Sequence, residues 1–161
     1  MIQTPETTMK RVREEAKRLG MSVEEYVVEA LTRSLDPKSR AKEYLEAARE
    51  MLRQAQEELE EGDVQQAAEK VWGAVALSIK SYAYWFDGVR IASHSELWEY
   101  KNKVAEDLGD WVKIVFRQAS GLHACFYEKW CTELDVREVL VEARKLVEAV
   151  SRRIGEDEEK G

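Results

Sequence analysis

The stretch from Lys38 to Gly161 contains no proline, the residue that most strongly disrupts a helix interior. The chain has 161 residues and only two prolines, Pro5 and Pro37, and Ala, Glu, Lys, Arg and Leu dominate its composition. These five residue types are the strongest helix formers. The composition therefore predicts an all-α fold and argues against β-sandwiches, barrels and collagen-like structures.

Apolar residues recur at helical spacing between capping signals, and Gly62-Asp63 and Gly109-Asp110 form short stop-and-restart turns. Short turns between long helices imply antiparallel neighbours. The pattern predicts an up-and-down antiparallel bundle of four to five helices over residues 37–155, a two-helix N-terminal unit over residues 1–36, and a polar tail over residues 156–161 that frays. The predicted N-caps are Thr4, Ser22, Asp36, Asp63, Ser93 and Asp135. The predicted inner face of the second helix consists of Val23, Tyr26, Val27, Ala30, Leu31 and Leu35.

The charge balance and the apolar runs exclude several classes of protein. The net charge of −7, from 25 basic and 32 acidic residues, disfavours broad nonspecific nucleic-acid binding but permits a local basic patch. No apolar run approaches the roughly 20 residues that span a bilayer, and no leader sequence opens the chain. We therefore expect a cytoplasmic protein without a membrane-spanning segment.

The two cysteines, Cys125 and Cys131, are six residues apart. On one continuous helix their side chains would point about 120° apart, which is a poor geometry for a disulfide. We therefore expect free thiols in a reducing cytosol. No short Cys or His pair has the spacing of metal ligands, so the sequence predicts no metal site, and nothing in it indicates a cofactor.

The chain has only two histidines, so general acid–base chemistry near neutral pH depends on His94 and His123. Arg117 lies six residues before His123, and the segment Asp110–Cys131 has three basic and two acidic residues. Arg117 would bind a phosphate through its guanidinium while His123 moves a proton. On a straight helix these two side chains point about 120° apart, so a joint site requires a bend at Gly121, a bridging ligand or a second subunit. The alternative is that His123 packs in the core and Arg117 pairs with an acid on a neighbouring helix.

Two residues on the late helix are further candidates for ligand binding. Ser120 and Tyr127 lie one turn either side of His123. Either side chain would orient the substrate or the imidazole.

Polar residues on two other helices complete the set of candidates. His94 follows the predicted cap Ser93, and the positive helix N-terminus there disfavours its protonated form. It would bind a phosphate or a base, or else fix the preceding connection. Glu69 and Lys70 occupy the helix that should face the late one, and a buried Glu69 would pair with a basic group near Lys70 or with His94.

The first 35 residues carry a pattern that resembles the ribbon-helix-helix family. The matching positions are Thr4-Pro5-Glu6, Ala16, Gly20, Met21-Ser22-Val23 and Glu29-Ala30-Leu31. The resemblance implies a strand over Met1 to Thr4 that pairs between two subunits and reads the DNA major groove with Gln3 and Thr4. Six basic and six acidic residues leave this segment without a net positive charge. The alternative is a helical hairpin that packs on the bundle or supports dimerisation.

Three separate blocks of the bundle resemble the archaeal PaREP proteins. These blocks are Gln66–Ala76, Ser93–Trp98 and Leu122–Glu128, and they occur in the matching order. PaREP proteins are similar in turn to the wider HEPN superfamily of four- to five-helix bundles. Many HEPN proteins are metal-independent ribonucleases and often dimerise. Their motif is an Arg, four to six residues, then a His, which Arg117 and His123 match, whereas Gln118 stands where Asn, Asp or His is usual.

The resemblance implies a HEPN-like module that binds a nucleotide, RNA or a protein partner such as a nucleotidyltransferase-type antitoxin. It also implies a homodimer. One form of this hypothesis is a metal-independent ribonuclease of toxin type that uses Arg117 and His123, and another is a non-catalytic binding module. The alternative function is a DNA-binding regulator that acts through residues 1–36.

Overall fold

The computed structural model describes residues 3–161, which form seven α-helices and no strand. The predicted all-α class is therefore confirmed. The helices are α1 (Glu6–Leu19), α2 (Val23–Leu31), α3 (Pro37–Glu60), α4 (Val64–Asp87), α5 (His94–Leu108), α6 (Trp111–Glu128) and α7 (Glu133–Lys160).

Helix α4 lies at the centre of the bundle and packs against α3, α5, α6 and α7. Because neighbours cover it on every side, its residues are buried almost continuously from Ala67 to Trp85. The Ser81 hydroxyl donates to the Ala41 carbonyl at 2.6 Å, so the end of α4 lies beside the start of α3. Lys70 Nζ donates to Gln54 Oε1 at 3.0 Å, which joins the start of α4 to the second half of α3. The two helices are therefore antiparallel, as predicted for an up-and-down bundle.

Four of the six predicted N-caps are confirmed. The side chains of Ser22, Asp36, Asp63 and Ser93 each accept a hydrogen bond from the backbone N–H three residues further on. The other two predictions are wrong. Pro5, not Thr4, occupies the N-cap position of α1, and it provides no side-chain cap. Helix α7 is capped by Thr132, and Asp135 is the second member of its capping box.

The predicted inner face of α2 is wrong. Leu31 is 76% exposed, and Val27 and Leu35 are also exposed, whereas Glu25 and Glu29 are buried. The reason is an ion cluster: the ammonium of buried Lys80 on α4 lies 2.6 Å from a Glu25 carboxylate oxygen and 2.8 Å from one of Glu29. Two carboxylates that share one buried cation turn α2 so that its acidic side faces the bundle.

The expectation of free thiols is also wrong, because Cys125 and Cys131 form a disulfide with their Cα atoms 5.6 Å apart. Helix α6 ends at Glu128, and Lys129 has a left-handed backbone with φ of 59°. The chain therefore turns back toward Cys125 instead of continuing as a helix. The two cysteines do not lie on one continuous helix, so the 120° separation expected between their side chains does not apply.

The C-terminal residues are more ordered than the sequence suggested. Helix α7 continues to Lys160, and Trp85 Nε1 donates to the Asp157 carboxylate at 2.8 Å. Glu158 forms an ion pair with Lys42 on α3. These contacts hold most of the expected polar tail against the bundle.

Only part of the expected N-terminal strand can be compared with the structure. Met1 and Ile2 lie outside the described residues, and Gln3 and Thr4 are exposed without regular secondary structure. Within residues 3–161, none of the helices has the length and apolar character needed to cross a membrane.

Candidate acid–base site around His123

A hydrogen-bonded pair of ionisable residues joins α4 to α6. Nδ1 of His123 lies 2.9 and 3.0 Å from the two carboxylate oxygens of Glu69. The Glu69 side chain is 5% exposed and the His123 side chain 15%. Glu69 belongs to the first turns of α4 and His123 to the second half of α6, so the antiparallel packing of these helices brings them together. Both residues were predicted as site residues, but Glu69 was expected to pair with a basic group near Lys70 or with His94 rather than with His123.

Burial controls the protonation of Glu69. Removal from water raises the pKa of this carboxyl from 4.5 to about 7, and this effect outweighs the opposing hydrogen bond and charge of His123. Nearby Glu25 and Glu24 raise the pKa further. Glu69 can therefore exchange a proton near neutral pH, which gives the pair the properties of an acid–base site.

The hydrogen bond to Glu69 determines how the His123 ring can act. A carboxylate only accepts, so an ionised Glu69 requires the proton of a neutral imidazole to be on Nδ1. The other nitrogen, Nε2, then carries a lone pair. Nε2 makes no hydrogen bond within residues 3–161 and is not fully buried. The ring thus offers a base on its outer side while its inner side is fixed.

The ring of Trp72 packs against the rings of both histidines, His123 and His94. The centroid of the fully buried Trp72 ring lies 5.7 Å from that of His123 and 6.0 Å from that of His94. Nε2 of His94 accepts from Trp98 Nε1 at 2.9 Å. Burial lowers the pKa of His94, and the charges of His123 and Lys80 lower it further. These effects favour the neutral form of His94.

Tyr127 lies on the outer side of the pair, one turn beyond His123. Its ring meets the His123 ring edge-on, with the centroids 5.3 Å apart. Tyr127 is 39% exposed, and its hydroxyl forms no hydrogen bond with the residues that the structure describes. Partial burial and the charge of Glu69 raise the pKa of Tyr127, so its hydroxyl remains a donor at neutral pH.

Within residues 3–161, none of the remaining candidate residues forms a hydrogen bond or an ion pair with His123. Arg117 is exposed on α6, and no hydrogen bond, ion pair or ring contact within residues 3–161 joins it to His123. After burial, its charge is the next cause that lowers the pKa of Lys101 on α5. Gln118 lines a cleft between α6 and α7, and Ser120 is half-buried. Lys70 faces α3, where it pairs with Glu58 at 3.5 Å.

Trp72 and Lys80 were not predicted from the sequence to support this region. Lys80 could have been recognised from the sequence, because it is the single charged residue between Lys70 and Asp87 on an otherwise apolar helix. Such a charge must find a partner when the helix is buried. Trp72 gave no comparable signal, since a tryptophan on an apolar stripe is ordinary core.

The part of the chain that the structure describes contains no group of three or more Cys, His, Asp or Glu side chains placed to bind a metal ion.

Comparison with known proteins identifies the fold and the family. A crystal structure of a protein from Sulfolobus solfataricus aligns with 66% of this chain and 94% of its own, with a TM-score of 0.59 and 24% sequence identity, and this likeness shows the fold alone. No curated protein matches significantly. The family model described as the archaeal PaREP1/PaREP8 family matches residues 43–147. The chain belongs to this archaeal family.

Proposed function

We propose that this protein is a HEPN-like module that binds RNA at the His123 site and cleaves it without a metal ion. One observation carries the proposal: Glu69 holds Nδ1 of His123, while Nε2 of the same ring forms no hydrogen bond within residues 3–161 and is not fully buried. The same arrangement of a carboxylate behind an imidazole orients catalytic histidines in other enzymes. Because the pKa of Glu69 is about 7, part of this carboxyl is ionised at neutral pH, and the ionised form is the one that accepts the proton of Nδ1 and leaves Nε2 free to act as a base.

The proposed reaction uses the ribose as its own nucleophile. Nε2 of His123 takes the proton of the 2′-hydroxyl, whose oxygen then forms a bond to the adjacent phosphorus. The bond from phosphorus to the 5′ oxygen breaks, and that oxygen leaves with a proton taken from solvent. The products are a 2′,3′-cyclic phosphate and a 5′-hydroxyl. Glu69 stabilises the imidazolium that forms on His123.

A second copy of the chain has a place in this proposal because Arg117 and His123 do not meet within one copy. Arg117 is exposed on α6, where it can reach an RNA phosphate bound across two subunits. Ile114 and Val141 are exposed apolar residues on α6 and α7, and they support self-association of this face. A homodimer is therefore part of the proposal, with the cytoplasm as its location. The disulfide is compatible with that location, since intracellular proteins of hyperthermophilic archaea often contain disulfides.

Cleavage of single-stranded RNA in the presence of EDTA tests the proposal. The wild-type protein should produce cyclic-phosphate ends from RNA and leave DNA of the same sequence intact, because DNA lacks the 2′-hydroxyl. His123→Asn should abolish cleavage, and Glu69→Gln should reduce it roughly 100-fold or more, in the range typical of general acid–base catalysis. His94→Gln serves as the matched histidine control and should retain cleavage. Activity that survives in His123→Asn, or its absence from the wild-type protein, would refute the ribonuclease.

A DNA-binding regulator is the second candidate, and the exposed apolar row on α2 favours it. Val27 and Leu31 form this row, the exposed Leu35 lies just beyond the helix, and pairing of two copies through these residues would bring their N-termini together. Leu31→Lys should then abolish both self-association and binding to DNA fragments from upstream of the gene. A monomeric wild-type protein would contradict this candidate.

A further inference from the structure

The α1–α2 helix pair approaches the candidate site although it lies outside residues 43–147, which match the family model. The turn between α1 and α2 contacts Trp72 and His94, which lie next to the candidate site. Its Gly20 carbonyl accepts from Trp72 Nε1 at 3.2 Å, and a Cβ added to Gly20 would lie only 2.8 Å from Nδ1 of His94. The N-terminal helices therefore pack against Trp72 and His94, and the Trp72 ring also contacts His123.

The end of α1 is held in a defined position. Ala16 is buried, and the backbone N–H groups of Gly20 and Met21 donate to the carbonyls of Lys17 and Ala16. Gly20 has a left-handed backbone with φ of 71°, which terminates the helix. Together with the Glu25–Lys80–Glu29 cluster on α2 and α4, these contacts fix the direction in which the last turn of α1 faces.

This last turn directs Lys17 toward the outer side of the acid–base pair. Lys17 Nζ lies 4.9 Å from the centroid of the Tyr127 ring, and Tyr127 in turn contacts His123. Two other basic residues of α1 are already paired, Arg13 with Glu6 and Arg18 with Glu15. Lys17 forms no ion pair within residues 3–161. Its ammonium is therefore available to an anion beside Tyr127.

The charges around His123 explain why a cation from α1 matters. The charges of Glu25 and Glu24 raise the pKa of Glu69, and Lys80, which pairs with Glu25, is buried. A phosphate that approaches Nε2 would meet a negative potential unless a further cation were present. Arg117 lies on another face, so Lys17 is the exposed cation that contacts the ring adjacent to His123.

We infer that Lys17, supplied by the appended N-terminal helix pair, binds a phosphate of the RNA next to His123, with the Tyr127 hydroxyl as a second donor. This inference rests on the proposed function and gives the helix pair a part in substrate binding. Lys17 is a specificity-determining residue in this arrangement, since it favours a polyanionic substrate over a neutral one. It takes no part in proton transfer.

Binding of a fully 2′-O-methylated RNA oligonucleotide by the intact protein tests the inference, because this probe lacks the 2′-hydroxyl and cannot be cleaved by the proposed reaction. Fluorescence anisotropy should show that Lys17→Gln weakens binding about fivefold, as expected for loss of one exposed charge contact. The salt dependence, as the slope of log K against log salt concentration, should fall by about 0.7, which corresponds to one phosphate of a single strand. Lys17→Arg should retain both values.

Lys10→Gln provides the matched control, since Lys10 is an exposed lysine on nearly the same face of α1, about 10 Å further along the helix. Equal effects of Lys10→Gln and Lys17→Gln, or no binding by the wild-type protein, would overturn the inference. Binding that depends on Lys17 without any RNA cleavage would support the inference and refute the ribonuclease. Cleavage whose KM is unchanged in Lys17→Gln would refute the inference and leave the ribonuclease intact.

Discussion

Replacement of Glu69 by glutamine should change how the stability of the protein depends on pH. Glutamine keeps the size of the side chain and an oxygen that accepts from Nδ1 of His123, but it carries no ionisable group. In the wild-type protein burial raises the pKa of Glu69 from 4.5 to about 7. The folded state therefore binds a proton more tightly than the unfolded state between these two pH values.

The sign and size of the effect follow from this difference. Because the folded state holds the extra proton, the wild-type protein loses stability as the pH rises from 4.5 to 7, and above pH 7 the full cost of a buried carboxylate is present. At about 1.4 kcal/mol per pKa unit, the difference corresponds to about 3 kcal/mol.

Urea unfolding followed by circular dichroism at pH values from 5 to 8 measures this prediction. The free energy of unfolding of Glu69→Gln should rise relative to that of the wild-type protein by about 3 kcal/mol across this range. Glu99→Gln, which alters an exposed glutamate on α5, should show a difference that does not vary with pH. A Glu69→Gln difference that is equally independent of pH would refute the proposed protonation of the buried carboxyl.

Three further predictions concern the packing that holds the site. Gly73→Ala would place its Cβ 2.6 Å from Ser22 Oγ. Despite the better helix propensity of alanine, this variant should lower the free energy of unfolding, measured by chemical denaturation, by about 1 kcal/mol or more. Gly121→Ala has open space around its Cβ and should raise that free energy by up to about 1 kcal/mol in the same assay. Lys80→Met leaves two buried carboxylates without their cation, so it should lower the free energy of unfolding by about 3–5 kcal/mol at pH 7 and by less at pH 5. A decrease below about 1 kcal/mol at pH 7 would contradict the ion cluster. Reduction of the Cys125–Cys131 disulfide opens a loop with a sequence separation of 6 and should lower the free energy of unfolding by about 2 kcal/mol. If mass spectrometry of the unreduced protein gives the intact mass expected for two free thiols, the disulfide is absent and this prediction is wrong.

The helices of the bundle could be predicted from sequence because their signals are local. The apolar stripes of α3 and α7 recur at helical spacing, and every residue of those stripes is buried in the structure. The caps Asp63 and Ser93 were equally readable, since a cap depends on residues only three positions away. The family resemblance that rests on three blocks of the bundle is confirmed by the match to residues 43–147.

The features that depend on distant partners could not be predicted with the same rules. Glu25 and Glu29 belong to a polar face by pattern, and only Lys80, about fifty residues later, makes their burial favourable. Glu69 and His123 are separated by 54 positions, so the sequence identified both residues without identifying their pairing. The turn at Lys129 lacks the glycine that normally marks a left-handed residue, and the disulfide beyond it was missed for that reason.

The position of the proton on the His123 ring provides the sharpest test of the proposed acid–base pair. Long-range ¹H–¹⁵N correlation spectra distinguish the two nitrogens, and the chain has only two histidines, so His94→Gln assigns the signals. At pH 8 we predict that the proton of the neutral His123 ring lies on Nδ1 and that Nε2 carries a lone pair. A proton fixed on Nε2 of wild-type His123 would contradict the assignment of this pair as the functional site.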